Sequence, residues 1–138
     1  MPEHLFMCRC GREVFHPKIT ENLSYYFQTS LIATSIYYAD LNCFPVCLFY
    51  CVAGIVKWFH PSEGFPCWAK ELTYLKVPSG TVAEEFFNNG TVYNSDDIQE
   101  VQAFEWLDDK KIDKGKMIFE FCFTSKKYKS TLSIIWES

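Results

Sequence analysis

The chain has 138 residues, of which 13 are basic and 17 acidic, for a formal charge of −4. A chain of this length buries about two-thirds of its unfolded surface and folds without disulfide staples, and a composition 49% hydrophobic and 18% aromatic excludes disorder as the general state. The excess charge lies in residues 61–138, with nine basic and thirteen acidic side chains, and a pI of about 5.3 lacks the positive field that phosphate backbones require, which argues against nucleic acid as a partner.

Residues 1–18 contain His4, Cys8, Cys10 and His16. Imidazole and thiolate are natural zinc ligands, so these four are the candidate metal set, and zinc is the only cofactor they suggest. One residue between Cys8 and Cys10 is fewer than the roughly two to four that let paired sulfurs reach one ion. The alternative is a short strand or turn carrying ordinary thiols and exposed histidines. Cys43, Cys47, Cys51, His60 and Cys67 are the residues that would complete a site in space. The seven cysteines are an odd number at irregular spacing, and no basic-then-apolar export segment opens the chain. A reducing compartment, intracellular and cytoplasmic, is therefore expected.

From Thr20 to Asp40 the pattern becomes helical. Ile19, Leu23, Phe27 and Leu31 recur at every fourth position, Thr20 is a suitable N-cap, and Glu21 sits favourably in the first turn. One long helix over 20–40 is predicted. Tyr25, Tyr26, Tyr37 and Tyr38 widen its apolar stripe, and their hydroxyls need partners or water. Such a stripe ordinarily packs a core; Tyr25 and Tyr26 are also candidate binding aromatics.

The stretch Asn42 to Phe59 carries no charge between Cys43 and Val56. A spanning helix needs about 20 apolar residues, and this run is shorter and contains Pro45. Extending it back to Leu31 would put Asp40 near mid-bilayer at a cost on the order of 3 kcal/mol. Its β-branched and aromatic content, with Ala53-Gly54 in the middle, instead predicts a buried hairpin over 45–60, placed at the centre of a sheet. The alternatives are a helix with Cys43, Cys47 and Cys51 on one face, or a membrane-associated protein held by residues 41–59.

His60 to Pro66 reads as a loop. The following Cys67-Trp68-Ala69 resembles the nucleophile segment of papain-like cysteine proteases, in which a Cys-Trp pair opens a helix. The resemblance covers three residues and implies Cys67 as nucleophile with a histidine base. In that family the base follows the cysteine, whereas here no histidine occurs after His60, which makes Cys67 with His60 the candidate pair. The alternative is a loop cysteine beside a packing tryptophan.

Leu72 to Val77 is predicted as a strand closed by Pro78-Ser79-Gly80. Thr81 and Glu84 form a capping box and Asn88-Asn89-Gly90 a C-cap, predicting a short helix over 81–88 that buries Val82 with Phe86 and Ala83 with Phe87. Thr91 to Tyr93 reads as a short strand. Ser95-Asp96-Asp97 is a further N-cap signal, but Val101 to Leu107 reads as a strand with Phe104 and Trp106 on one face, and the strand is preferred. Asp96, Asp97, Glu100, Asp108 and Asp109 lack the spacing of a calcium loop and read as a solvated acidic surface. With 96–108 helical, the order of elements over 72–123 is similar to the strand, helix, helix, strand order of a lysin-motif glycan-binding module, without the acidic residue expected after its first glycine.

Met117, Phe119, Phe121 and Phe123 alternate with Ile118, Glu120, Cys122 and Thr124; a lysine-rich turn follows, and Leu132, Ile134 and Trp136 share one side of the returning strand. This predicts an antiparallel hairpin at the edge of the sheet. Its lysines read as a solubilising turn or as a contact for an acidic partner.

The fold expected is therefore α+β, a single domain over 1–138 with one long N-terminal helix packed on a curved antiparallel sheet of about five or six strands over 45–138. No catalytic set is present, which points to a small non-enzymatic protein–protein interaction or regulatory module with a protein partner, using Trp68, Trp136, Tyr25 and Tyr26 as contact aromatics. A homodimer is compatible with this, and a small apolar ligand enclosed by sheet and helix is the second expectation. The aromatic, cysteine-rich composition resembles that of lineage-specific proteins, viral accessory proteins among them.

Overall fold

The computed structural model describes residues 3–10, 13–108, 112–113 and 115–137, with the side chains of Cys8 and Cys10 outside that description. The fold is α+β, built on a five-stranded antiparallel sheet that does not close on itself. Three helices precede the sheet in the chain: α1 (Glu3–Cys10), α2 (Pro17–Phe27) and α3 (Leu31–Asp40). The strands are β1 (Cys47–Val52), β2 (Ile55–Pro61), β3 (Gln99–Gln102), β4 (Met117–Ser125) and β5 (Ser130–Trp136), with α4 (Val82–Asn89) and the single turn α5 (Ala103–Trp106) between β2 and β4.

The N-terminal segment, expected as a strand or turn, is helical. None of its residues is β-branched, Leu, Met, Arg and Glu are good helix formers, and Phe6 is completely buried against Phe27 and Tyr37, with ring centroids 5.8 and 4.9 Å away. The single long helix over 20–40 is corrected to two. The first starts before Thr20: His16 is its N-cap, accepting from the Lys18 amide at 3.1 Å through Nδ1, and Pro17 occupies the first turn, where its missing N–H costs nothing. It ends at Gln28, whose φ of 54° is left-handed and lets its N–H reach the Ser24 and Tyr25 carbonyls. Ser30 then caps α3 by accepting from the Ala33 amide at 3.0 Å. The four-residue apolar spacing runs through this break because both helices pack on the same layer. The period therefore conceals the capping chemistry of Thr29-Ser30.

The uncharged stretch forms the β1–β2 hairpin, turning at Ala53 and Gly54 with φ of 52° and 82°. Both values are left-handed, the signature of a tight turn whose twist suits the flanking strands. The stretch thus supplies the first two strands of the sheet, with Cys47, Leu48, Phe49, Cys51 and Val56 fully buried, and among the described residues no helix is long and apolar enough to cross a membrane.

Strand order is β2-β1-β5-β4-β3. The expectation that the 45–60 hairpin is central and the C-terminal hairpin peripheral is reversed: β5 is the middle strand and buried along its whole length, whereas β2 is an edge with Lys57 exposed. Residues 72–77 do not form a strand. Tyr74 is left-handed (φ 68°), and the segment lies along the free side of β2, through Tyr74 N to Val56 O at 2.7 Å, Val56 N to Leu75 O at 2.9 Å and a single bridge between Ile55 and Lys76. It covers amides that an edge strand would otherwise leave unpaired. Thr91 to Tyr93 forms no strand. The 101–107 stretch divides into β3 and α5, so Phe104 and Trp106 do not share a face: Trp106 is fully buried and Phe104 is exposed. With neither strand 72–77 nor helix 96–108, the lysin-motif order of elements is absent. Asp109 lies outside the described residues.

Alternation then decides where each side chain goes. Leu48, Phe121, Leu132, Ile134 and Trp136 point to the face covered by α1–α3. Cys47, Phe49, Cys51, Ile118, Cys122 and Ile135 point to the opposite face, with Val82 and Ala83 of α4 and Trp106 of α5. Both faces of the sheet are therefore covered, and every strand residue of β5 becomes core.

Candidate functional site

Glu120 occupies the second of these two layers and is fully buried. Its strand position follows from alternation with Ile118 and Cys122, and α4 packs over it. Oε1 accepts from the Val82 amide at 2.9 Å and the Trp106 indole Nε1–H at 3.0 Å, and Oε2 accepts from the Ala83 amide at 3.2 Å and the Ser133 hydroxyl at 3.0 Å. The Cys122 thiol adds a weaker donor at 3.3 Å. Thr81 completes the helix start, its Oγ1 taking the Glu84 amide at 3.2 Å and its carbonyl the Glu85 amide at 3.3 Å. The amides of Val82, Ala83 and Glu84, which the helix cannot satisfy internally, thus all have acceptors, and the Glu85 amide opens the helical ladder. Two are on a carboxylate, the charge a helix N-terminus favours. Burial pushes the Glu120 carboxyl above its ordinary range, against the pull of the Trp106, Val82, Cys122 and Ser133 hydrogen bonds. With all these donors converging on one buried group, Glu120 is an anchor that fixes α4 to the sheet and offers no lone pair to a substrate.

The C-terminal half of α4 borders an open cleft of about 800 Å³ at one end of the sheet, between the β1–β2 turn, residues 76–77 and the β4–β5 turn. Its floor is Ile55, Val77, Phe86 and Phe87, which are buried or half-buried, and its rim carries Lys76, Asn88, Lys126 and Lys129, all exposed. Backbone bonds tie the three rim segments together: Ala53 N to Lys129 O at 2.8 Å and Val77 N to Gly54 O at 2.9 Å. Gly90 closes α4 beside the cleft with φ 70°, where a side chain would strain the backbone. Among the described residues, none of Lys76, Lys126 and Lys129 forms an ion pair.

The residues singled out from sequence are dispersed. His60 Nε2 is bonded to Asp40 Oδ1 at 2.6 Å, whereas the Cys67 thiol faces Glu137 Oε1 at 3.6 Å, and Lys116 pairs with the same carboxylate. Burial and Glu137 raise the Cys67 thiol, the reverse of what a nucleophile needs, and residues 67–69 open no helix. His16 is used as the α2 cap, with Nε2 at 3.7 Å from Asp96, and His4 is exposed on α1. The side chains of Cys8 and Cys10 lie outside the described residues. Among the described residues, no group of three or more His, Cys, Asp or Glu side chains gathers as a metal site. Trp136 is 1% exposed, packed between Phe15 and Phe119 at 4.7 and 5.6 Å, so it belongs to the core and not to a contact surface. Trp68 (64%), Tyr25 (88%) and Tyr26 (52%) are exposed, Tyr26 beneath the Arg9 guanidinium at 3.7 Å from its ring centroid.

Sequence reasoning missed both Glu120 as an anchor and the cleft. The signal for Glu120 was a lone carboxylate in a strand apolar on both sides. The cleft had no local signal, because its walls come from four separate segments. No protein-family model matches the chain, and no curated protein matches it.

Proposed function

We propose that this chain is a single-domain, non-enzymatic protein-interaction module, and that the cleft between α4 and the two hairpin turns is its docking groove. The observation that carries this reading is an apolar floor rimmed by three lysines without ion-pair partners among the described residues, on a rim held by backbone hydrogen bonds before any partner arrives. A preformed groove loses little order on binding, so more of the contact energy becomes affinity. An extended segment suits it better than an enclosed apolar small molecule, because Lys76, Asn88, Lys126 and Lys129 all remain open to solvent. The exposed Trp68, Tyr25 and Tyr26 are the competing contact surfaces. A cytoplasmic setting is part of the same proposal, supported by the odd number of cysteines.

The test is affinity purification with quantitative mass spectrometry on parent, Phe87→Asp, Trp68→Ala and Tyr25→Ala chains. Loss of a reproducibly enriched partner with Phe87→Asp, and its retention by the other two, is the expected result. Loss with Trp68→Ala or Tyr25→Ala but not Phe87→Asp would move the contact surface away from the cleft. A small molecule seen by native mass spectrometry, with no enriched protein, would replace the module reading with that of an apolar-ligand binder.

A further inference from the structure

We infer that the partner segment taken by this groove is acidic and carries interspersed large apolar side chains, an inference that rests on the groove reading above. The chain as a whole is acidic, at −4, yet the rim of the cleft gathers Lys76, Lys126 and Lys129 against one carboxylate, Glu84, whose Oε1 is turned to the Gly80 amide at 3.4 Å. At the range of contact these lysines repel basic segments and favour acidic ones, so the selection is made at this spot and not by the net field of the chain. The floor decides between acidic macromolecules. Ile55, Val77, Phe86 and Phe87 offer nothing to a phosphate backbone but match leucine or phenylalanine side chains placed between carboxylates.

A second observation is independent of charge. Lys129 has φ 49°, the left-handed backbone that costs any residue but glycine, and to a lesser degree asparagine, some stability. The hairpin would be more stable with glycine there. Lysine at this position sets stability against a third ammonium on the rim.

The probes are a short synthetic peptide alternating Glu with Leu and Phe, the same peptide with every Glu replaced by Gln, and a single-stranded oligonucleotide. Affinity is read by fluorescence anisotropy at low and high salt, and the contact is mapped by amide chemical shifts. The acidic peptide is expected to shift amides in 53–55, 76–77, 86–90 and 126–129, and to weaken roughly tenfold in the Lys126→Glu, Lys129→Glu double variant, the scale of two partly screened charge contacts reversed. Lys129→Gly should raise the thermal midpoint by roughly 2 °C while weakening the peptide about threefold. Equal, salt-independent binding of the Gln peptide at the same amides would overturn the acidic inference and leave the groove reading standing. Shifts confined to residues outside the cleft would overturn the groove reading itself. Preferential binding of the oligonucleotide, or binding of no probe, would overturn the occupant proposed here.

Discussion

Replacing Glu120 by alanine would strand three fixed donors in the dry layer beneath α4. These are the amides of Val82 and Ala83 and the indole N–H of Trp106, with Glu120 and Trp106 both fully buried. A stranded buried donor costs about 1–3 kcal/mol. Because the three lie together and water admitted to the new space would satisfy part of the loss, the low end of that range applies to each. The sum is roughly 3–5 kcal/mol, the same scale as breaking a buried charged pair. Ser133 and Cys122 add little, since their side chains already lie 3.0 Å apart and can bond one another. Urea denaturation followed by circular dichroism should show a lower midpoint at unchanged slope, with a thermal midpoint lower by on the order of 10 °C. Amide exchange should accelerate first at Val82 and Ala83, ahead of the β5 amides. Glu120→Gln keeps one acceptor oxygen and should fall between the two. An alanine variant within about 0.5 kcal/mol of the parent, the range of an ordinary surface change, would mean that Glu120 does not anchor α4 and that the site has been misread.

Three further outcomes are expected. Burial raises the Glu120 carboxyl above its unfolded value of 4.5; an acid shifted in that direction stabilises fully below its unfolded pKa and loses the contribution as pH rises through the folded one. The stability of the parent relative to Glu120→Gln should therefore decline from below pH 4.5 toward neutrality, and a difference that grows instead would reverse the sign. Burial pushes the Cys51 thiol up to about 12 and those of Cys47 and Cys122 well above their usual range, so all three should resist a disulfide reagent at pH 8 until the chain is unfolded, as read by peptide mapping; rapid labelling of any one would show that its layer opens. Trp136→Ala should cost about 3–5 kcal/mol, as expected for a buried tryptophan, while Trp68→Ala should stay within about 0.5 kcal/mol; equal denaturation midpoints for the two variants would contradict the burial of Trp136.

Local chemistry was legible in the sequence wherever a few adjacent residues decide the outcome. Thr81 with Glu84 and Gly90 marked the ends of α4, Ala53-Gly54 marked a hairpin turn, and the alternation over Met117–Phe123 marked β4, because caps, turns and a two-residue period depend on contacts within a few positions. The break at Gln28 was hidden, since both helices present their apolar residues to one layer and the period alone reads as continuous. Strand order, the burial of Trp136 and the gathering of donors on Glu120 were decided only in three dimensions. Each depends on which segments meet across long sequence separations, as when Glu120 receives amides from Val82 and Ala83 on another element. The cleft belongs wholly to that second category: Ile55, Lys76, Phe87 and Lys129 become neighbours because β5 takes the middle of the sheet and pairs with both β1 and β4, which brings their turns to the same end. The sequence by itself determined an α+β chain with a core too apolar to remain open. Tertiary packing decided which of its lysines and aromatics face outward together, because exposure is a property of the assembled layers and not of any one segment.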